Sequence, residues 1–148
     1  MGAAERRKRA RPSALRERRA VARFQGTRTD FPAFERLVDG LDCPDDKARA
    51  RLRLVGLELF DNLVRHAGPL RGGVRMRYGE DASGRMSLAF SFRSRRFRAW
   101  LKAPGPSLPS WSPAEKRWRG LGLIMVRNLS SRVEHRSGPS GDRIVVTF

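Results

Sequence analysis

The stretch from about Asp46 to His66 constrains this chain more than any other. Leu52, Val55, Leu59 and Leu63 recur at steps of three, four and four, the period of one continuous apolar stripe on an α-helix. Asp42-Cys43-Pro44-Asp45-Asp46 reads as a turn, and its acidic residues suit a helix start because they oppose the positive end of the dipole. Gly68-Pro69 stops the helix. A stripe of this kind must be buried against a second layer.

The flanking segments supply that layer. Val21-Ala22-Arg23-Phe24-Gln25 alternates as a strand, and Thr29 or Asp30 caps a helix with Pro32 in its first turn. Phe31, Phe34, Leu37, Val38 and Leu41 mark that helix's buried face. Strands are expected over Gly73–Tyr78 and Met86–Phe92, joined by the turn-rich Gly79–Gly84. From Arg93 to Trp118 periodicity is lost among Pro104, Pro106, Pro109 and Pro113, as in a functional lid or a disordered segment. Leu121 to Leu129 reads as a short helix, and Arg132–His135 and Arg143–Phe148 as a closing pair of strands. The order β-α-α-β-β-lid-α-β-β predicts an α+β fold, a two-layer sandwich with helices on one face of a mixed, mostly antiparallel sheet.

Length allows one domain: 148 residues, divided as a basic tail over 1–22 and a domain over 23–148 with the lid at 93–118. The tail is rich in Arg and Ala and broken by Pro12 and Ser13, so it reads as a solvated basic arm or a transient helix. Net charge is +17, of which residues 1–23 hold +7. Clustered cations point to nucleic acid, yet the rest of the charge is spread out and almost all Arg, as base-composition bias would produce. No apolar run approaches a membrane span, no apolar segment follows the N-terminal charges as in a secretory signal, and Cys43 is the single cysteine. A cytoplasmic location follows as an expectation.

Two constellations bear chemistry. In Glu58-Leu59-Phe60-Asp61-Asn62-Leu63-Val64-Arg65-His66-Ala67, Glu58, Asn62 and His66 fall four apart and share one helix side. That polar stripe is either an ordinary solvated face or a site where an amide oxygen and a carboxylate, one turn apart, hold Mg²⁺ beside phosphates. In Arg119-Gly120-Leu121-Gly122-Leu123-Ile124-Met125-Val126, two glycines open a helix, leaving N–H groups bare for a phosphate or forming a flexible turn before a buried helix.

Taken together, an E-x-x-x-N-x-x-x-H-A helix followed about 55 residues later by R-G-x-G-L-x-x-V resembles the GHKL ATPases, the superfamily of gyrase B, MutL and sensor histidine kinases. The nearer resemblance is to the anti-sigma-factor serine kinases, over roughly residues 22–148. It implies an ATP-binding regulatory protein that binds a sigma factor or an anti-anti-sigma (STAS-type) protein and phosphorylates a Ser of the latter, with homodimers common among such relatives. It implies Glu58 as general base, Asn62 as the ligand of ATP-bound Mg²⁺, and His66 as the close of that motif. Arg119, Gly120 and Gly122 would meet the phosphates, and 93–118 would be the ATP lid.

One departure changes what the resemblance can carry. Where the family has Asp-x-Gly-x-Gly, whose Asp reads the adenine amino group, this chain has Phe92-Arg93-Ser94-Arg95-Arg96, and Asp81 lies before the strand. Losing a carboxylate matched to one donor lowers adenine selectivity. The domain would then bind ATP weakly, bind another anionic ligand, or keep the fold for protein binding alone. A basic nucleic-acid-binding module is the alternative from another class, resting on the tail and on Arg93, Arg95, Arg96 and Arg98. Trp100, Trp111 and Trp118 would stack on a base or pack the lid onto the domain.

Overall fold

In the computed structural model, which describes residues 19–68, 70–102, 110–114 and 116–148, the described part opens with β1 (Arg19–Phe24), α1 (Phe31–Asp39) and α2 (Asp46–His66). It continues through β2 (Val74–Glu80), β3 (Met86–Phe92), α3 (Arg95–Lys102), β4 (Ser110–Ser112) and β5 (Arg117–Arg119). It closes with α4 (Leu121–Leu129), β6 (Arg132–Gly138) and β7 (Gly141–Thr147).

Local chemistry accounts for the helix starts. The Asp30 carboxylate accepts the backbone N–H groups of Gly26 and Thr27 at 2.7 and 2.9 Å, closing a short 3-10 turn that leads into α1. Asp45 caps α2, its Oδ1 accepting the Ala48 N–H at 2.7 Å. Asp45→Ala is expected to cost about 1 kcal/mol in chemical denaturation, the usual worth of such a cap.

The α2 stripe anticipated from sequence is buried throughout: Leu52, Val55, Leu59 and Leu63. Phe34 of α1 stacks on Phe60 of α2 with centroids 4.5 Å apart, and Phe24 meets both edge-on at 5.5 Å. Gly56 lets α2 approach the sheet closely, since a Cβ there would lie 3.2 Å from the Leu88 side chain.

Five strands form an open sheet in the order β1-β2-β3-β7-β6, and every pairing is antiparallel. One face carries Val74, Met76, Tyr78, Leu88, Phe90, Ile144 and Val146, all buried with the core residues of the helices. The architecture is therefore α+β, with helices on one face of the sheet. No described helix is long and apolar enough to cross a membrane.

Four sequence expectations need correction. The sheet is wholly antiparallel rather than mixed. Its first strand starts at Arg19, inside the segment assigned to the tail, because Arg19 to Phe24 pair residue by residue with Gly79 to Val74. The segment 93–118 is not uniformly irregular: it holds α3 and the β4–β5 hairpin. Ser94 starts α3 by accepting the Phe97 N–H at 3.0 Å while its hydroxyl donates to the Ala67 carbonyl at 2.6 Å. Finally, β6 and β7 run up to Gly138 and from Gly141, so the turn between them is only Pro139-Ser140. Residues 1–18 of the expected tail and 103–109 of the expected lid lie outside the described residues.

Candidate functional site

Helix α4 lies antiparallel along α2, and the contacts at its two ends bring the two sequence motifs together. At its start, Gly120 takes a left-handed conformation (φ 78°) as the residue before the first turn. Gly122, one step into the helix, sits directly against the Glu58 carboxylate; a Cβ there would overlap Oε1. At the other end, the Arg51 guanidinium donates to the Leu129 carbonyl through Nε at 3.1 Å and Nη2 at 2.9 Å. A carboxylate therefore meets the positive end of α4 and a guanidinium the negative end, both favourable to the helix dipole.

Asn62 is buried one turn from Glu58 and donates its amide nitrogen to Glu58 Oε1 at 3.2 Å. Using the nitrogen in this way leaves the amide oxygen as the atom that a cation could take. His66 ends α2 one further turn along the same side. Asp61 and Arg65, which share this helix surface, form an ion pair at 2.6 Å. Glu58, Asn62 and Gly122 thus converge, with Gly120 two residues before Gly122 and His66 one turn beyond Asn62. Arg119 belongs to β5, and its side chain, like those of Trp100 and Trp118, lies outside the described residues. Trp111 is half-exposed on β4.

In the opposite part of the expected nucleotide site, the position expected to read adenine is apolar. Phe92 is buried and meets Phe97 of α3 edge-on, with centroids 4.9 Å apart. Asp81, by contrast, is taken up in the β2–β3 turn by Ser83 and by the Arg85 N–H, at the other end of β3.

A buried carboxylate does stand beside Phe92, but on the neighbouring strand. Asp142 of β7 pairs in register with Phe92 and with Ser137 of β6. Its carboxylate accepts Arg98 Nε at 2.9 and 3.0 Å and the Ser137 hydroxyl at 2.6 Å, and lies 3.1 Å from His135 Nε2. Burial raises the Asp142 pKa, but the hydrogen bonds from Arg98, Ser137 and His135 outweigh it and hold the group below the ordinary carboxylate range. Sequence reading missed this cluster. Its only sequence trace is an Asp on the inward side of a strand whose other inward residues are Ile144 and Val146.

A cleft of about 610 Å³ opens at this end of the sheet. Arg71, Arg93, Arg95, Arg96 and Arg98 line it together with Ser94 and the β6–β7 turn. None of Glu58, Asn62 and Gly122 borders it. Among the described residues, no group of three or more His, Cys, Asp or Glu side chains is placed to hold a metal. No protein-family model matches the chain, and no curated protein matches it.

Proposed function

We propose that this chain is a regulatory protein of the anti-sigma-factor serine kinase type, on a GHKL-like architecture, that captures a sigma factor or its anti-anti-sigma (STAS-type) antagonist. The observation that carries this reading is the meeting of two motifs remote in sequence: Gly122 against the Glu58 carboxylate, with Asn62 hydrogen-bonded to it. A buried Asn beside a carboxylate at the N-terminal end of a second helix is a costly arrangement for a purely structural face. It suits the magnesium–triphosphate end of a nucleotide, where one protein oxygen and the phosphates share the cation. Asn62 would hold Mg²⁺ through its amide oxygen, and the first turn of α4 at Gly120 and Gly122 would face the phosphates. Glu58 would take the proton of the attacking serine hydroxyl. Bound Mg·ATP would supply the phosphoryl group.

The adenine end does not fit equally well. Phe92, packed edge-on against Phe97, offers an apolar wall where adenine selectivity needs an acceptor. That observation favours a second reading within the same fold, a regulator that works by partner binding alone. Helix α4 also leaves Leu121, Leu123 and Ile124 exposed, which suits a protein partner or a second copy of the chain.

Titration calorimetry of the full chain with Mg·ATP, Mg·GTP and Mg·tripolyphosphate separates these readings. Binding of all three with similar affinity, weakened about tenfold or more by Asn62→Ala, is the result expected from a site that keeps its phosphate end. Heat from none of them would leave the binding-only regulator. A strong preference for Mg·ATP over Mg·GTP would contradict the apolar adenine wall.

A further inference from the structure

The second face of the sheet, away from the helices, bears a different chemistry. Strand register aligns its outward residues in rows. One row runs Arg23, Arg75, Ser91, Arg143, Arg136 across all five strands. At a strand spacing of about 4.8 Å, its four arginines span roughly 19 Å. The other two rows add Arg77, Arg19 and Arg132. The single acid in the three rows is Glu134, held by Arg132 at 2.7 Å and Arg136 at 2.9 Å.

This alignment opposes stability. Arg23 lies directly opposite Arg75, and Arg143 directly opposite Arg136; like charges facing each other across strands are destabilising. Arg23, Arg75, Arg77 and Arg143 have no acidic partner among the described residues, and Arg75 Nε is buried without a hydrogen bond. Compositional bias would explain many arginines, but not their collection on one face with a single acid among them.

The row also continues into the cleft. Arg143 and Arg136 lie within three residues of the β6–β7 turn that borders it, and Arg93 follows the last residue of β3. Arg71, Arg95 and Arg96 of the cleft are likewise free of acidic partners among the described residues. Asp142, next in sequence to Gly141 of the cleft lining, is already bound by Arg98.

We propose that this continuous arginine surface, the outward row Arg23–Arg75–Arg143–Arg136 and the cleft at the sheet's end, docks the phosphate backbone of a nucleic-acid duplex. Guanidinium forks match phosphate oxygens in bidentate geometry. The extended track, longer than a small anion needs, favours a polymer. No outward residue in the three rows is aromatic, so bases have nothing to stack on and contact falls on the backbone of a duplex rather than on single-strand bases. The interface is accordingly blind to sequence and steeply salt-dependent. It lies apart from Glu58 and Asn62 and stands independently of the nucleotide reading.

The test is fluorescence anisotropy of the full chain with a mixed-sequence duplex of about 20 base pairs, titrated across salt. Arg75→Gln with Arg143→Gln is expected to weaken binding and flatten the plot of log K against log salt by about 2, close to 0.9 for each phosphate that is no longer neutralised. Arg95→Gln with Arg96→Gln is expected to do the same, and the exposed pair Arg23→Gln with Arg143→Gln repeats the measurement should the half-buried Arg75 prove necessary for folding. Arg53→Gln, on α2 and paired with Glu35 and Asp39, should leave the slope unchanged. Unchanged slopes in the arginine pairs would overturn the proposal, because the basic N-terminal segment is present in every variant. Equal affinity for polyglutamate of matched charge would overturn it too, and assign the face to an acidic protein.

Discussion

Gly122→Ala is expected to destabilise the protein by about 3 kcal/mol, the upper range for inserting an atom into a packed contact. In the background Glu58→Ala, the same substitution should become neutral or stabilising. The reversal follows from what the new methyl meets. Its nearest neighbours are all atoms of the Glu58 carboxylate, the closest well inside van der Waals contact. Elsewhere in a helix, alanine is better than glycine by about 1 kcal/mol. With Glu58 present, either α4 lifts from α2 or the carboxylate swings away, breaking its hydrogen bond to Asn62 and its contact with the positive end of α4. Thermal or urea denaturation of the four proteins of this double-mutant cycle gives the coupling directly. An equal cost in both backgrounds would mean that Gly122 is needed for backbone reasons and that the Glu58–α4 junction is incidental. The same substitution should weaken binding of Mg·tripolyphosphate, because a displaced carboxylate no longer holds the Asn62 amide in place.

The two helices that form that junction were the most legible part of the molecule. Regular spacing of Leu52, Val55, Leu59 and Leu63 yields α2 over the residues that form it, and the glycines at 120 and 122 mark the start of α4. Both signals are local, and each constrains a backbone. What the glycines approach is not local: the Glu58 contact depends on the antiparallel packing of α2 and α4, which no single segment encodes. Helix α3 was hidden for a different reason. Phe97, Trp100 and Leu101 are spaced for a helix, and Ser94 is a good cap, but Arg95, Arg96 and Arg98 dilute the apolar period and the prolines that follow invite a loop assignment. The arginine row was hidden by register. Alternation within β2 already sets Arg75 and Arg77 on one face, yet only the strand order β1-β2-β3-β7-β6 lines Arg75 up with Arg23, Arg143 and Arg136. Strand order arises from long-range pairing, and it is there that a single sequence carries least information.

The Asp142 cluster depends on register in the same way, and it yields the other large effect. Asp142→Asn is expected to cost about 3 kcal/mol, the lower end of what removing one partner from a buried ion pair costs. The Asp142 side chain is fully buried, while its partners Arg98 and His135 remain partly exposed and can regain water. That asymmetry keeps the cost from rising further. The pH dependence has a definite sign. The folded-state pKa of Asp142 lies below that of the unfolded chain: burial raises it, and the hydrogen bonds from Arg98, Ser137 and His135 overcome that rise. Its contribution is therefore complete above the unfolded value, near 3.9, and is lost as pH falls through the lower folded value. Urea denaturation at neutral pH and again in acid should show the gap between wild type and Asp142→Asn closing as acidity increases. A gap that stayed constant through that window would mean that the charge of Asp142 contributes nothing and that the hydrogen bonds Asn cannot retain carry the whole effect. Because Asp142 ties α3 to β6 and β7, the loss should also loosen Arg98 and the arginine cleft. Asp142→Asn is accordingly expected to weaken duplex binding even though it makes the surface more positive, an outcome opposite to that of simple charge counting.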